Sequence, residues 1–210
     1  MQPNSLFQET ERLLQSGLEA IELSVDDKQF SQLAEYLALL SKWSKTYNLT
    51  AIKAPMELVS FHILDSLALS PHLVGQRFID VGTGAGLPGI PLAILNPDKH
   101  FSLLDSNGKK IRFLFHVHSQ LKLTNTSEIQ SRAETFIPSH RFDAVITRAF
   151  ADLPAMLQNC HHLVVENGLF LAMKGKFPQR EIDHMPAGYR VLDTERLRIP
   201  GVGVDRHLIK

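Results

Sequence analysis

Hydrophobic and polar positions divide the chain into two textures. Up to about Val74 the apolar residues recur every three or four positions, the spacing that gathers one stripe on a helix. Leu33, Leu37, Leu40, Trp43 and Tyr47 mark a long helix that Asn48-Leu49-Thr50 and Pro55 interrupt. Ser5 with Gln8 has the form of a capping box for an earlier helix, and a third is expected from Met56 to about Ser70, with Leu58, Phe61 or His62, Asp65 and Leu69 on successive turns. From Arg77 onward, short apolar runs alternate with helical stretches, the signature of a parallel sheet with right-handed crossovers. Strands are expected near 77–81, 101–105, 127–130, 142–147 and 168–173, and helices near 88–95, 107–122 and 152–165. On the helix after Asp105 the expected stripe is Ile111, Leu114, Phe115, His118 and Leu121, with Lys109, Lys110, Arg112 and Lys122 largely off it. Two β-like segments, Tyr189 to Leu197 and Val202 to Ile209, flank Pro200-Gly201 and suit an antiparallel hairpin at the sheet edge.

The prediction is an α/β fold in one compact unit. A helical cap over 1–74 precedes a mostly parallel seven-stranded sheet with an antiparallel terminal pair over 75–210. Methyltransferases of the Rossmann-like class have that pattern, although a fold does not fix a chemistry. In such sheets ligands sit at the carboxyl ends of the strands. Those ends are Asp80 to Leu87, Asp105, Ser131 to Glu134, Thr147 to Phe150 and Met173 to Lys176.

One of them carries the strongest signal. Phe78-Ile79-Asp80-Val81-Gly82-Thr83-Gly84-Ala85-Gly86-Leu87-Pro88-Gly89 reads as a strand, a glycine-rich turn and a helix start, with Pro88 suited to the first helical turn. The turn's N–H groups are expected to be open to a carboxylate, ribose or phosphate. Gly84 to Gly89 satisfies the dinucleotide form G-x-G-x-x-G, whereas Asp80 to Gly86 satisfies the longer acidic-x-G-x-G-x-G form of S-adenosylmethionine-dependent methyltransferases. The longer match gives Asp80 a role, holding the ammonium of the methionine moiety directly or through water; beside a pyrophosphate its charge would be unhelpful. Asp105 closes the next strand, where a carboxylate accepts hydrogen bonds from ribose hydroxyls. A nicotinamide-dinucleotide-binding oxidoreductase or sensor remains the alternative at this point.

Composition narrows the classes. Lys and Arg number 22 against 22 Asp and Glu, so no global field draws the chain to nucleic acid and any RNA contact must be local. No apolar run approaches a membrane span, and Met1 to Thr10 has no basic segment followed by a hydrophobic one, so neither membrane insertion nor a secretion signal is expected and a cytoplasmic address follows. The single Cys160 excludes an internal disulfide and a four-cysteine zinc site, and suits a reducing compartment.

Arg132-Ala133-Glu134 follows the third strand, where an adenine edge would lie, so the Ala133 backbone and Glu134 are candidate base contacts; a solvated charge pair opening a helix is the alternative. Arg148 and Lys174, at the ends of the fourth and fifth strands, are cations able to hold a phosphate or the guanine O6 edge. Thr147-Arg148-Ala149-Phe150 lacks the Asn/Asp-Pro-Pro-aromatic tetrad that positions an exocyclic amine, which disfavours adenine N6 chemistry. Cys160 in mid-helix lacks the exposed loop of a cysteine nucleophile, which disfavours pyrimidine C5 chemistry. No metal is expected: no H-E-x-x-H occurs, and His116 with His118, like His161 with His162, cannot face one ion together. Lys109-Lys110-Ile111-Arg112 reads as a solvated helix face, with contact to an RNA backbone as the alternative.

Seven segments, in order along the chain, resemble the ribosomal RNA small subunit methyltransferase G family, also called glucose-inhibited division protein B. They are Asn48 to Ile52, His62 to Leu67, Asp80 to Leu92, Leu104 to Ser106, Arg132 to Glu134, Thr147 to Ala149 and Met173 to Gly175. The family often has Pro at the place of Ala85 and Ser at that of Thr147, which touches only local loop shape. The resemblance implies transfer of a methyl group from S-adenosylmethionine to N7 of a guanine in 16S rRNA, conventionally numbered 527, leaving S-adenosylhomocysteine. It implies cofactor contacts at Gly82, Leu87, Ala133, Glu134 and Arg148, beside the Asp80, Gly84, Gly86 and Asp105 of the residue-level reading. Guanine N7 carries a lone pair and no proton, so no general base is expected and Arg148 and Lys174 would serve positioning. Duplex RNA buries N7 in a deep groove, which favours a loop, or a small-subunit particle, as the substrate of a monomeric enzyme. Another S-adenosylmethionine-dependent substrate is the alternative.

Overall fold

The computed structural model describes residues 3–210, with side chains from residue 8 onward. The Ser5 side chain of the expected capping box lies outside the described residues. Helix α1 spans Pro3–Ala20 and α2 spans Asp27–Tyr47. The capping box that the structure does show is at α2: Asp26 accepts from the Gln29 amide at 2.7 Å and the Gln29 side chain accepts from the Asp26 amide at 3.0 Å. Asn48, in the left-handed region, ends the helix. The third helix is broken where periodicity alone suggested continuity: α3 (Pro55–Leu58) widens into a π-helical segment, Val59–Leu64, before α4 (Asp65–Leu67).

The remaining elements alternate as predicted. Strand β1 (Arg77–Val81) leads to α5 (Gly89–Leu95), β2 (His100–Asp105) to α6 (Gly108–Leu121), and β3 (Thr126–Gln130) through a short turn to β4 (Phe142–Arg148). Helix α7 (Leu153–Cys160) precedes β5 (Val164–Lys174), α8 (Gln179–Asp183), β6 (Thr194–Arg196) and β7 (His207–Ile209). The sheet order is β3-β2-β1-β4-β5-β7-β6, with β7 antiparallel to both β5 and β6. The terminal pair is therefore present at the edge, though far shorter than the β-like segments that suggested it.

Three local readings change. Pro88 precedes α5 as its cap, after a cis Leu87–Pro88 bond, and does not stand inside the helix. Helix α7 stops at Cys160 because the β-branched Val164 and Val165 open β5 early; Phe142 pairs with Val164 but Ala144 with Leu169, so the residues between bulge, with Asn167 at φ 60°. On α6 the buried side chains are Ile111, Phe113, Leu114, Val117 and Leu121, while Phe115 is 54% exposed and His118 is partly exposed beside Glu128. The stripe thus runs one position off the expected one at its centre.

Strand alternation explains the layers. Phe78, Phe101, Leu103, Ala144 and Ile146 face a cluster shared with Leu14, Leu33, Leu37, Ile90 and Phe113, which is formed by α1, α2, α5 and α6. Ile79, Val81, Leu104 and Val145 face the opposite cluster, with Cys160 and Leu163. The strand order reverses between β1 and β4, both running parallel, so the carboxyl ends of these strands diverge into a crevice.

Candidate functional site

The glycine turn at the end of β1 is built from within. Gly82, Gly84 and Gly86 all have positive φ (71°, 63° and 94°). A Cβ on Gly86 would stand 2.5 Å from Ile90 and 2.8 Å from Leu114, and one on Gly82 2.7 Å from the Phe150 ring. On Gly84 it would meet nothing nearer than 3.9 Å, so this residue alone faces open space. The turn's donors are largely spent internally. Gly82 and Thr83 donate to the Leu104 carbonyl, Gly86 and Leu87 to that of Thr83, and Gly84 to Asp105 Oδ2 at 3.0 Å. The expectation of a row of open N–H groups is corrected: the turn offers shape where an anion nest was foreseen.

Asp80 lies beneath the turn and is fully buried. Its Oδ2 accepts from Thr83 Oγ1 at 2.7 Å and from the Gly89 amide at 2.8 Å, which caps α5 from inside. Oδ1 is buried without a partner. Burial pushes this carboxyl up to about 6, against the pull of its two hydrogen bonds and of Arg148. Tyr36, fully buried on α2, donates its hydroxyl to the Ala85 carbonyl at 2.8 Å, and burial raises its pKa.

Two cavities flank the turn and share Gly82 and Ala149. The smaller, about 240 Å³, brings together Asp105, Lys110, Ala133, Glu134 and Phe150. Asp105 there accepts from Gly84, from Lys110 Nζ at 3.1 Å and from the Asn107 amide at 2.9 Å. The larger, about 500 Å³, brings together Leu87, Gly84, His62, Arg148, Lys174 and Arg206. Ala149, at φ 53° despite its side chain, turns the chain between the two; such strain collects at functional sites.

The larger lobe is organised by a residue that sequence reasoning took as a helix-turn marker and as part of the His62 to Leu67 segment, without a place at the site. Asp65, almost fully buried, receives Arg148 Nη1 on Oδ2 at 3.2 Å and Arg206 Nε on Oδ1 at 3.1 Å. Arg148 Nη1 also donates to the Phe61 carbonyl at 2.9 Å, within the π-helical segment. Nearby, His62 Nε2 lies 2.7 Å from Thr50 Oγ1, and burial beside Arg148 lowers its pKa to about 4, so it is neutral near pH 7. Nothing in local spacing could reveal Arg206, which arrives from the other end of the chain. Lys174 borders this lobe with its charge engaged: Nζ meets Glu181 at 2.8 Å and the Ala151 carbonyl at 2.6 Å. Of the residues expected at the site, Gly82, Gly84, Leu87, Asp105, Ala133, Glu134, Arg148 and Lys174 line these two cavities, whereas Asp80 and Gly86 lie beneath the turn and line neither; fully buried, Asp80 is not open to the ammonium expected of it. Cys160 is buried and its thiol pushed up to about 12, far from the ionisation of a nucleophile.

Comparisons with known proteins give two kinds of likeness, one of fold and one of sequence. The solved structure of TrmN from Thermus thermophilus superposes with a TM-score of 0.53 at 16% identity, covering 69% of this chain and 46% of that one. The N-methyltransferase NodS from Bradyrhizobium japonicum gives 0.52 at 14% identity, covering 69% and 89%. At such identities the likeness is one of fold. In sequence, the ribosomal RNA small subunit methyltransferase G of Shewanella amazonensis is 54% identical over 188 residues, 90% of this chain and 91% of the relative. That of Mannheimia succiniciproducens is 48% identical over 207 residues, 99% and 97% of the two chains. The family model described as rRNA small subunit methyltransferase G (GidB) matches residues 29–209, a span that takes in the glycine turn, Asp65, Arg148 and Arg206. On that match and those identities, the chain belongs to the rRNA small subunit methyltransferase G family.

Proposed function

We propose that this methyltransferase moves the methyl group of S-adenosylmethionine to N7 of guanine 527 in 16S rRNA, as a cytoplasmic monomer acting on a small-subunit particle. The observation that carries the choice of cofactor is the internal use of the turn's amides. A dinucleotide needs those donors for its pyrophosphate, whereas a nucleoside with a short zwitterionic arm needs a cradle open at one glycine, and Gly84 is that opening. The residues present fit the donor. Asp105, Ala133 and Glu134 would take the adenosine in the smaller lobe, with Gly82, Gly84 and Leu87 along the arm; Asp80 and Gly86 shape the turn from below.

S-adenosylmethionine, when bound, supplies an electrophilic methyl on a sulfonium. Guanine N7 would accept that methyl through a lone pair that carries no proton, so no residue of this chain would have a proton to hold or move. The larger lobe agrees with that, because its ionisable groups are all engaged: His62 with Thr50, Asp65 with two guanidinium groups, Lys174 with Glu181. Arg148, steadied by Asp65 and the Phe61 carbonyl, orients the donor's arm or the target's phosphate, and Lys174 fixes the loop after β4 that walls the site. Alignment and exclusion of water then account for most of the acceleration.

The test is to map methyl groups on 16S rRNA from cells with and without this chain, using strand scission at N7-methylguanine. Scission at 527 that disappears with the gene supports the assignment. Scission that persists, or a lost methyl at another atom, removes it.

A further inference from the structure

The segment that borders the larger lobe beyond its lining residues Gly175 and Arg206 has no part in the transfer described above. Across β5 and β7, Lys174 pairs with His207, and the chain leaves β5 as Gly175-Lys176-Phe177. Phe177, 44% exposed, stands two residues beyond Gly175, which lines the larger lobe. The His207 ring meets it edge-on, with centroids 5.5 Å apart and planes at 76°, and His207 Nδ1 is in turn held 2.9 Å from the Gly175 carbonyl. The Phe177 ring is thus anchored along one side and open on the rest.

Two cations stand close by in the chain and the fold. Lys176 is exposed and has no partner among the described residues. The Arg206 guanidinium passes over Gly175, 3.8 Å from where a Cβ would stand there. Its Nε and Nη1 are engaged by Asp65 and the Asp205 carbonyl and its Cζ lies over the Phe61 ring, 5.5 Å from the centroid, which leaves Nη2 without a hydrogen bond among the described residues.

We propose that this segment holds an unpaired stretch of RNA next to the target base. A neighbouring base stacks on Phe177, while Lys176 and Arg206 take phosphates. The inference rests on the RNA substrate proposed above and deepens it. A fixed aromatic face bordered by an unpaired lysine and by an arginine with Nη2 still unbonded matches the two features of single-stranded RNA, flat bases and a charged backbone, whatever the base sequence. In a chain of zero formal net charge, a local cluster of this kind is where the phosphate contact has to come from.

The test uses Phe177→Ala, Phe177→Trp and Lys176→Ala in the full chain, with cofactor affinity measured on each to verify the fold. Phe177→Ala is expected to raise KM for small-subunit particles by about tenfold, the loss of one stacked base, with kcat and cofactor affinity kept. Phe177→Trp restores KM. Its fluorescence is quenched by a protein-free single-stranded oligoribonucleotide, beyond any change at Trp43, the chain's one native tryptophan. Lys176→Ala makes the dependence of log KM on log salt shallower by about 0.7, the release from one phosphate of a single strand. Unchanged KM in Phe177→Ala, or no quenching, overturns the proposal. A KM effect on particles without quenching by RNA assigns the ring to a ribosomal protein and overturns it as well. A wild-type enzyme that transfers methyl to no small-subunit RNA ends the substrate assignment itself, a result separable from failure of Phe177 alone.

Discussion

Gly84 and Gly86 stand two positions apart and are expected to fail in different ways. A methyl on Gly84 enters the crevice and strains a backbone at φ 63°, at a cost of about 1 kcal/mol. Gly84→Ala should therefore keep its fold and lose cofactor affinity by at least about tenfold, about 1.4 kcal/mol of binding. A methyl on Gly86 is driven into Ile90 and Leu114, so Gly86→Ala should lose about 1–3 kcal/mol of stability. Urea denaturation beside a cofactor titration separates the two, and a reversed ranking would refute the cradle. Two buried ionisable groups make a second pair of opposites. Asp80, raised from 3.8 to about 6 by burial, gives up stability as pH climbs through that interval. His62, lowered from 6.5 to about 4 by burial and Arg148, gives up stability as pH descends through its own. In the wild type the two trends oppose each other. His62→Gln leaves the Asp80 trend alone, so its stability relative to wild type should fall as pH rises from about 4 to 6.5; Asp80→Asn should do the reverse. Denaturation midpoints across that range decide, and parallel curves would contradict the assignment.

At the scale of elements, α2 holds the cofactor turn from outside the sheet. The Tyr36 hydroxyl is the link, and Tyr36→Phe strips the buried Ala85 carbonyl of its donor, a loss of about 1–3 kcal/mol. We expect that variant to bind the cofactor several-fold more weakly although Tyr36 lines neither lobe; isothermal titration checks this, and unaltered affinity would confine Tyr36 to the core. Most elements were legible because their causes are local. The run of β1 is apolar because both its faces are covered, and the glycines after it declare a turn. What stayed hidden has distant causes. Spacing on a single helix cannot show that Val59–Leu64 would widen to leave the Phe61 carbonyl for Arg148, because that partner lies 87 positions away. Phe115 passed for a buried residue because composition and period cannot tell which flank of α6 meets α2. The carboxyl-end rule located the crevice, and the turn's chemistry was misjudged, since hydrogen bonds to Leu104 and Asp105 come from a neighbouring strand.

At the scale of the whole molecule, balanced charge sets the strength of the RNA encounter. With 22 cations against 22 anions, Arg148 and Lys174 paired to carboxylates and Arg206 left with Nη2 alone, only a few phosphates can be neutralised. The slope of log affinity against log salt is expected to be no steeper than about −4, well short of the roughly −10 of a strongly basic DNA binder. Binding measured between about 50 and 200 mM salt tests this, and a slope beyond about −6 would reveal a wider cationic surface than the one described. The pairing of Asp65 with both Arg148 and Arg206, and the insertion of β7 between β5 and β6, join the beginning, middle and end of the chain in one place. A nascent polypeptide whose residues beyond 205 are still inside the ribosomal exit channel has neither the second arginine nor the strand that seats it. The larger lobe is therefore incomplete until Arg206 has emerged and β7 has paired with β5.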